Sequence, residues 1–181
     1  MIISLIGFMG SGKSSVGRRL ADLLSFPFID LDAEIETRAG MSITAIFSAY
    51  GEPAFRKMEY ETLSSVLAVG QDMVIATGGG TPVNPESAGM LREKTVCVYL
   101  SASENQLSEI LSVLDNSNRP MLKKHTVGEL LRARVPIYEN TAHISVNLSD
   151  YTDGVPDDSA FDRVAGNIVA YLGEEKRVPG N

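Results

Sequence analysis

The stretch Gly7-Phe-Met-Gly-Ser-Gly-Lys13-Ser14 fills every fixed position of the pattern G-x-x-x-x-G-K-[ST], directly after a short apolar run. A strand-to-helix turn of this kind binds phosphate. Its glycines let backbone N–H groups curl around the anion, and the following helix offers its positive N-terminal end. Lys13 can reach the outer phosphates while the Ser14 hydroxyl ligates Mg²⁺. Gly10, Ser11, Gly12, Lys13, Ser14 and Ser15 are the expected nucleotide contacts, and a nucleoside triphosphate with Mg²⁺ is the expected ligand. A ligand-free glycine turn would need neither the full residue set nor the strand–turn–helix setting.

The apolar run Pro27–Leu31 leads into Asp30-Leu-Asp32, where a strand's period of two puts both carboxylates on one side. One can hold water on Mg²⁺. The other can orient an attacking hydroxyl and draw off its proton. Asp32 could equally cap a helix over Ala33–Ala39. Another apolar run, Met73–Thr77, ends in Gly78-Gly79-Gly80, whose missing β-carbons let a bound molecule approach the backbone amides. In Gly51-Glu-Pro-Ala-Phe55-Arg56-Lys-Met-Glu59, helical spacing lets Glu59 fix the Arg56 guanidinium, although a solvated helix pair is the commoner outcome. Further cations are Arg119, within the polar stretch Asp115–His125, and Arg132 and Arg134 near an expected helix end. His125 and His143 are too isolated to make a metal site. The lone Cys97, in an apolar strand-like setting, reads as a packed thiol in a reducing compartment.

These groups need a scaffold that gathers them. Strand-length runs at Ile2–Gly7, Pro27–Leu31, Met73–Thr77, Thr95–Leu100 and His143–Val146 alternate with helical spacings. The helical faces are Val16/Leu20/Leu23/Leu24, Leu107/Ile110/Leu111/Leu114 and Phe161/Val164/Ile168/Leu172, the last ending at Gly173. Ser101 with Glu104 forms a capping-box pattern, and Asn84-Pro85 suits a helix start. Such alternation predicts an α/β fold with a mostly parallel sheet covered on both faces and ligands beyond the strands' carboxyl ends. At 181 residues a single domain over 1–173 is expected, with a mobile flap in the polar stretch and a frayed polar tail over 174–181. A net charge of −7 argues against nonspecific nucleic-acid binding. The run Met1–Phe8 lacks a basic leader and is too short for a bilayer about 30 Å thick. A cytoplasmic monomer acting on small molecules, with no nucleic-acid or membrane partner, is the expectation.

Taken together, these residues resemble the shikimate kinase family, small P-loop kinases of the nucleoside-monophosphate-kinase group. The likeness runs from Gly7 to about Tyr138 on six spaced motifs: the P-loop, Asp30-Leu-Asp32, Gly51-Glu-x-x-Phe-Arg56, Gly78-Gly-Gly80, Arg119-Pro120 and Arg134-Val-Pro-Ile-Tyr138. The resemblance implies a three-layer α/β/α P-loop NTPase fold whose five parallel strands follow the order 2-3-1-4-5. It also implies a substrate-binding region over about 31–62 and a lid over about 112–126. The implied reaction is ATP-dependent phosphorylation of the 3-hydroxyl of shikimate, with Mg²⁺ as cofactor and ATP as co-substrate. Lys13 and Ser14 would serve the phosphates and Mg²⁺, and Asp30 would reach the metal through water. Asp32 would hold the reactive hydroxyl and act as its base. Arg56 and Arg134 would bind the carboxylate, with Gly78, Gly79 and Gly80 lining the site, Glu59 steadying Arg56, and Phe47 and Phe55 flanking the ring. Arg119 would close over the transferred phosphate from the lid.

The chain departs from the family pattern where adenine is held. Many members carry arginines there; this chain has Ser112 and, beyond the last strand, roughly Tyr151, so that either Tyr151 stacks on the base or nucleotide affinity is lower. The segment Ser149–Ser159 is also acidic where basic residues are frequent. Two other readings of the residues stay open: a kinase of the same group acting on gluconate, and a nucleotide-binding module without phosphoryl transfer.

Overall fold

Five parallel strands, β1 (Ile2–Ile6), β2 (Phe28–Asp30), β3 (Met73–Ala76), β4 (Val96–Ser101) and β5 (Ile144–Asn147), lie in the order β2-β3-β1-β4-β5. The structure is a computed structural model that describes residues 1–114, 120–123 and 125–175. Period-two alternation splits the strands between two helical layers. Ile3, Leu5, Val74 and Val98 face α1 (Lys13–Leu24) and α7 (Asp158–Glu175), whose Val16, Leu20, Val164 and Ile168 complete one core. Ile6, Ile75, Cys97 and Tyr99 point the other way. They meet a layer built from α2 (Leu31–Ala39), α3 (Ile43–Ala68), α4 (Pro85–Lys94), α5 (Glu104–Val113) and α6 (Val127–Thr141). Each fully buried Leu or Ile in these cores is worth about 1.5–3 kcal/mol in transfer free energy.

Register sets the working edge. Leu5 pairs with Ala76 and Ala76 with Asp30, so the loops after β1, β3 and β2 leave the sheet side by side. The strand order reverses at β1, which puts the P-loop at the crevice where open α/β sheets bind ligands. Among the described residues no helix is long and apolar enough to cross a membrane.

Several local expectations are corrected. The second strand ends at Asp30 rather than running through Asp32, because the Asp30 carboxylate accepts from the amides of Asp32 and Ala33 and starts α2. Asp30 is thus the cap, and Asp32 sits in the first turn. Helix α5 is capped by Ser103, not Ser101; Ser101 stays in β4 opposite Asn147 and its hydroxyl donates to the Val146 carbonyl. Leu23 and Leu114 leave the helical faces assigned to them and are 59% and 42% exposed. On α1 Leu24 keeps its expected place on the stripe and Ala21 joins it in place of Leu23. Helix α6 runs through Pro136 to Thr141, so Arg134 is mid-helix rather than near a helix end. Finally, α7 continues past Gly173 to Glu175.

Helix α3 is two helical pieces in one. Gly51 adopts φ 78° and ψ 174°, a conformation that favours glycine, and Pro53 opens the next turn, where its missing N–H costs nothing. The break brings Phe47, before it, against Phe55, after it, with ring centroids 4.7 Å apart.

Candidate active site

A cavity of about 590 Å³ opens at the carboxyl edge of the sheet, lined at its floor by the P-loop, Asp30, Asp32 and Gly78–Gly80. Around it stand Phe47, Phe55, Arg56, Glu59 and Arg134. The structure therefore brings together expected residues of five separate chain segments. Among the P-loop residues, Gly10, Gly12, Lys13, Ser14 and Ser15 line the cavity, whereas the Ser11 side chain is turned into the fold and fully buried. Arg119 lies outside the described residues, as does most of the expected flap.

Lys13 Nζ donates to the carbonyls of Gly7 and Phe8 at 3.0 and 2.8 Å, holding the loop closed around its own cation. Ser14 Oγ donates to Asp30 Oδ2 at 2.6 Å while Asp30 Oδ1 caps α2. One carboxylate therefore ties the P-loop to the start of the helix bearing Asp32.

Asp32 faces the cavity beside Glu59 and Gly78. A β-carbon at Gly78 would lie 2.8 Å from both Asp32 Oδ1 and Glu59 Oε1, so only glycine lets the two carboxylates close on this point. Burial, then repulsion from Glu59 and Asp30, pushes the Asp32 carboxyl up to about 7, with Lys13 pulling the other way. An aspartate at that value loses its proton close to neutral pH.

Arg56 and Glu59 form no solvated surface pair. Glu59 is 2% exposed; its carboxylate accepts from Arg56 Nη1 and, through Oε1, from Thr81 Oγ1 at 2.8 Å. Glu52 Oε1 takes Nη2 of the same guanidinium at 3.1 Å. Held from two sides, Arg56 presents a fixed fork. Arg134, 5% exposed in α6, donates to the Gly79 carbonyl at 3.3 Å, and the Tyr138 hydroxyl donates to the same oxygen. Burial pushes the Tyr138 phenol up to about 12, so it stays a donor. Two guanidinium groups beside one glycine wall make a binding place for a planar carboxylate. Arg132, by contrast, is exposed on the opposite side of its helix turn.

Thr81, Glu52 and Tyr138 were not assigned roles by sequence reasoning. A buried carboxylate needs partners, so Glu59 signals Thr81 only once its burial is known. Neither of the two positions that depart from the family pattern lines the cavity. Ser112 is exposed with its hydroxyl donating to the Glu109 carbonyl, and Tyr151 packs into the α1/α7 core with its hydroxyl accepting from Asn167. No metal-binding cluster of His, Cys, Asp and Glu occurs among the described residues. His143 sits at the sheet edge, its Nδ1 accepting from the Cys97 amide at 3.0 Å, and burial pushes the Cys97 thiol up to about 11. That thiol is inert packing.

Known proteins share the sequence and the fold. The shikimate kinase family model matches residues 9–171. A shikimate kinase of Nitrosomonas europaea is 44% identical over 146 residues, which span 78% of this chain and 68% of that protein. One from Dictyoglomus turgidum is 37% identical over 151 residues, 82% of this chain and 88% of its own. Among solved structures, the shikimate kinase from Acinetobacter baumannii in complex with shikimate superposes with a TM-score of 0.85 at 31% identity, covering 97% of this chain and 94% of that one. Sequence, fold and site geometry agree: the chain belongs to the shikimate kinase family.

Proposed function

We propose that this enzyme transfers the γ-phosphoryl group of ATP to the 3-hydroxyl of shikimate, giving shikimate 3-phosphate and ADP. The observation that carries the reading is the convergence of Asp32, Arg56 and Arg134 on one cavity beside the P-loop. Arg56 and Arg134 would hold the shikimate carboxylate by forked hydrogen bonds, and Phe47 and Phe55 would flank the ring. This leaves a ring hydroxyl facing Asp32. In the reacting complex the hydroxyl oxygen attacks the γ-phosphorus, and the bond to the bridging oxygen of ADP breaks. The hydroxyl proton passes to the Asp32 carboxylate and the released charge stays on ADP. A base titrating near 7 is matched to that task at neutral pH. Lys13 would exchange its loop carbonyls for phosphate oxygens and offset charge growing between the phosphates.

The donor set at the foot of the P-loop suits Mg²⁺, since the Ser14 hydroxyl and an Asp30 carboxylate oxygen lie 2.6 Å apart and both are hard oxygen ligands. Ser14 would ligate the ion directly and Asp30 through water. When bound there, Mg²⁺ supplies neutralisation between the β- and γ-phosphates. Every residue named comes from one chain, which suits a monomer, and both substrates are small metabolites of the cytoplasm.

A coupled ADP-release assay across shikimate, gluconate and nucleoside monophosphates tests the assignment. Turnover is expected with shikimate. Turnover with gluconate or a nucleotide and none with shikimate would contradict it.

Gly80 offers a test of the carboxylate clamp. A β-carbon there would sit 2.7 Å from Arg56 Cζ, too close for any real contact, so Gly80→Ala displaces the guanidinium from its fork. Its shikimate KM should rise roughly 10- to 100-fold, the effect of a misplacement of about 1 Å, with the KM for ATP nearly unchanged. An unaltered shikimate KM would place the carboxylate elsewhere.

A further inference from the structure

The carboxylate clamp extends behind the residues that reach the cavity. Gly78, Gly79 and Gly80 line its wall, but Thr81, next in the chain, does not. Thr81 begins a single 3₁₀ turn, Thr81–Val83, closed where its amide donates to the Gly78 carbonyl at 3.1 Å. The turn keeps its side chain from solvent: Thr81 is 1% exposed, and its hydroxyl donates to Glu59 Oε1 at 2.8 Å. A β-carbon at Gly78 would lie 3.2 Å from that hydroxyl and 2.8 Å from Glu59 Oε1, so the glycine leaves the room in which the two meet.

The Glu59 carboxylate is divided between two donors, Thr81 at Oε1 and Arg56 Nη1 at Oε2. Buried as it is, it depends on protein donors, and a buried charge that loses one is strongly penalised. The other anchor of Arg56 is softer. Glu52 is 38% exposed and accepts from Nε and Nη2 through a single oxygen, at 3.3 and 3.1 Å. Solvated pairs of that kind hold little. The place of the guanidinium is therefore set chiefly by Glu59, and the place of Glu59 by Thr81. Threonine also makes a stiff donor, because its β-branch restricts χ1.

We infer that Thr81 is a positioning residue for the acceptor: its hydroxyl fixes Glu59, Glu59 fixes the Arg56 guanidinium, and a side chain that touches neither substrate thereby sets the affinity for the acceptor's carboxylate. The inference rests on the reading that Arg56 receives the shikimate carboxylate. None of these hydrogen bonds passes through the P-loop, whose Lys13 and Ser14 are held by the Gly7 and Phe8 carbonyls and by Asp30. The relay should act on the acceptor and leave the nucleotide alone.

Steady-state kinetics of Thr81 variants tests it. Thr81→Val keeps the shape and deletes the donor, an exchange that the hydroxyl makes far from neutral. Its shikimate KM should rise about 5- to 50-fold, part of the worth of a charge-assisted hydrogen bond, with kcat and the KM for ATP near wild type. Thr81→Ser keeps the hydroxyl and should bring the shikimate KM back close to wild type. A residue needed only for folding would instead lower the active fraction, and kcat with it, at constant KM. Added to Gly80→Ala, Thr81→Val should raise the KM little further, because the guanidinium has already left its place and coupled sites do not add. An unchanged shikimate KM in folded Thr81→Val, a serine variant as impaired as the valine one, or full additivity with Gly80→Ala would overturn the inference. Thr81→Ala carries the same expectation if the valine variant does not fold. Gly80→Ala alone reports on the clamp itself. A raised shikimate KM there beside an unchanged one in Thr81→Val sinks this inference only; no effect in either variant, or no turnover of shikimate by the wild type, sinks the reading beneath it.

Discussion

Asp32→Asn is expected to lower kcat by roughly 10²- to 10⁴-fold, the usual contribution of a positioned proton acceptor, while leaving the affinity for ATP close to wild type. Asparagine keeps the shape of the side chain but accepts no proton. The pH dependence carries the same signature. With the Asp32 carboxyl at about 7, kcat/KM for shikimate should climb with pH up to that region and level off above it, and this limb should vanish in the variant. Stability should move the opposite way. A folded-state value above the unfolded one of about 3.8 means that the native protein holds the proton more tightly, so ionised Asp32 destabilises the fold progressively as pH rises from about 4 to 7. Asp32→Asn should then be more stable than wild type at pH 8, by on the order of 2 kcal/mol, and indistinguishable near pH 4. Thermal melts at the two pH values read this directly. Equal loss of kcat and nucleotide affinity, with no gain in stability, would mark Asp32 as structural.

Lys13→Ala should cost about 10²- to 10³-fold in kcat, the price of one preorganised charge-stabilising donor. Unlike Asp32→Asn it should also weaken nucleotide binding, because Lys13 would meet the phosphates in the ground state as well. The loop should loosen too, since Nζ bridges the Gly7 and Phe8 carbonyls. Steady-state kinetics with ATP as the varied substrate distinguishes the two variants. Wild-type turnover in Lys13→Ala would remove the lysine from the reaction.

Much of this was legible in the residues. The P-loop pattern, the β/α alternation and the glycine run after β3 each mark a backbone requirement that few residue types meet, so they read through without coordinates. What stayed hidden was set by tertiary contact. A strand continuing through Asp32 is the natural reading of Phe-Ile-Asp-Leu-Asp, yet the capping hydrogen bonds of Asp30 end it two residues sooner. Glu59 reads as a surface charge because its burial depends on Thr81, twenty-two residues away and beyond a strand. Thr126-Val-Gly-Glu129 forms a full capping box at α6 that was there to be seen, while the pattern at Ser101 lost to strand pairing. The apolar end of the cavity had no motif at all. Ile110, Leu114 and Phe161 sit at helical spacings that core packing explains equally well, and only the fold shows that they line the cavity.

The claim on which the account stands is the orientation of the acceptor, and a crystal structure of the enzyme with shikimate, ADP and Mg²⁺ tests it most directly. The carboxylate should bridge Arg56 and Arg134, and the 3-hydroxyl should lie within hydrogen-bond distance of an Asp32 carboxylate oxygen on the P-loop side. Shikimate bound with its carboxylate toward the P-loop, or with no ring hydroxyl at Asp32, would contradict it.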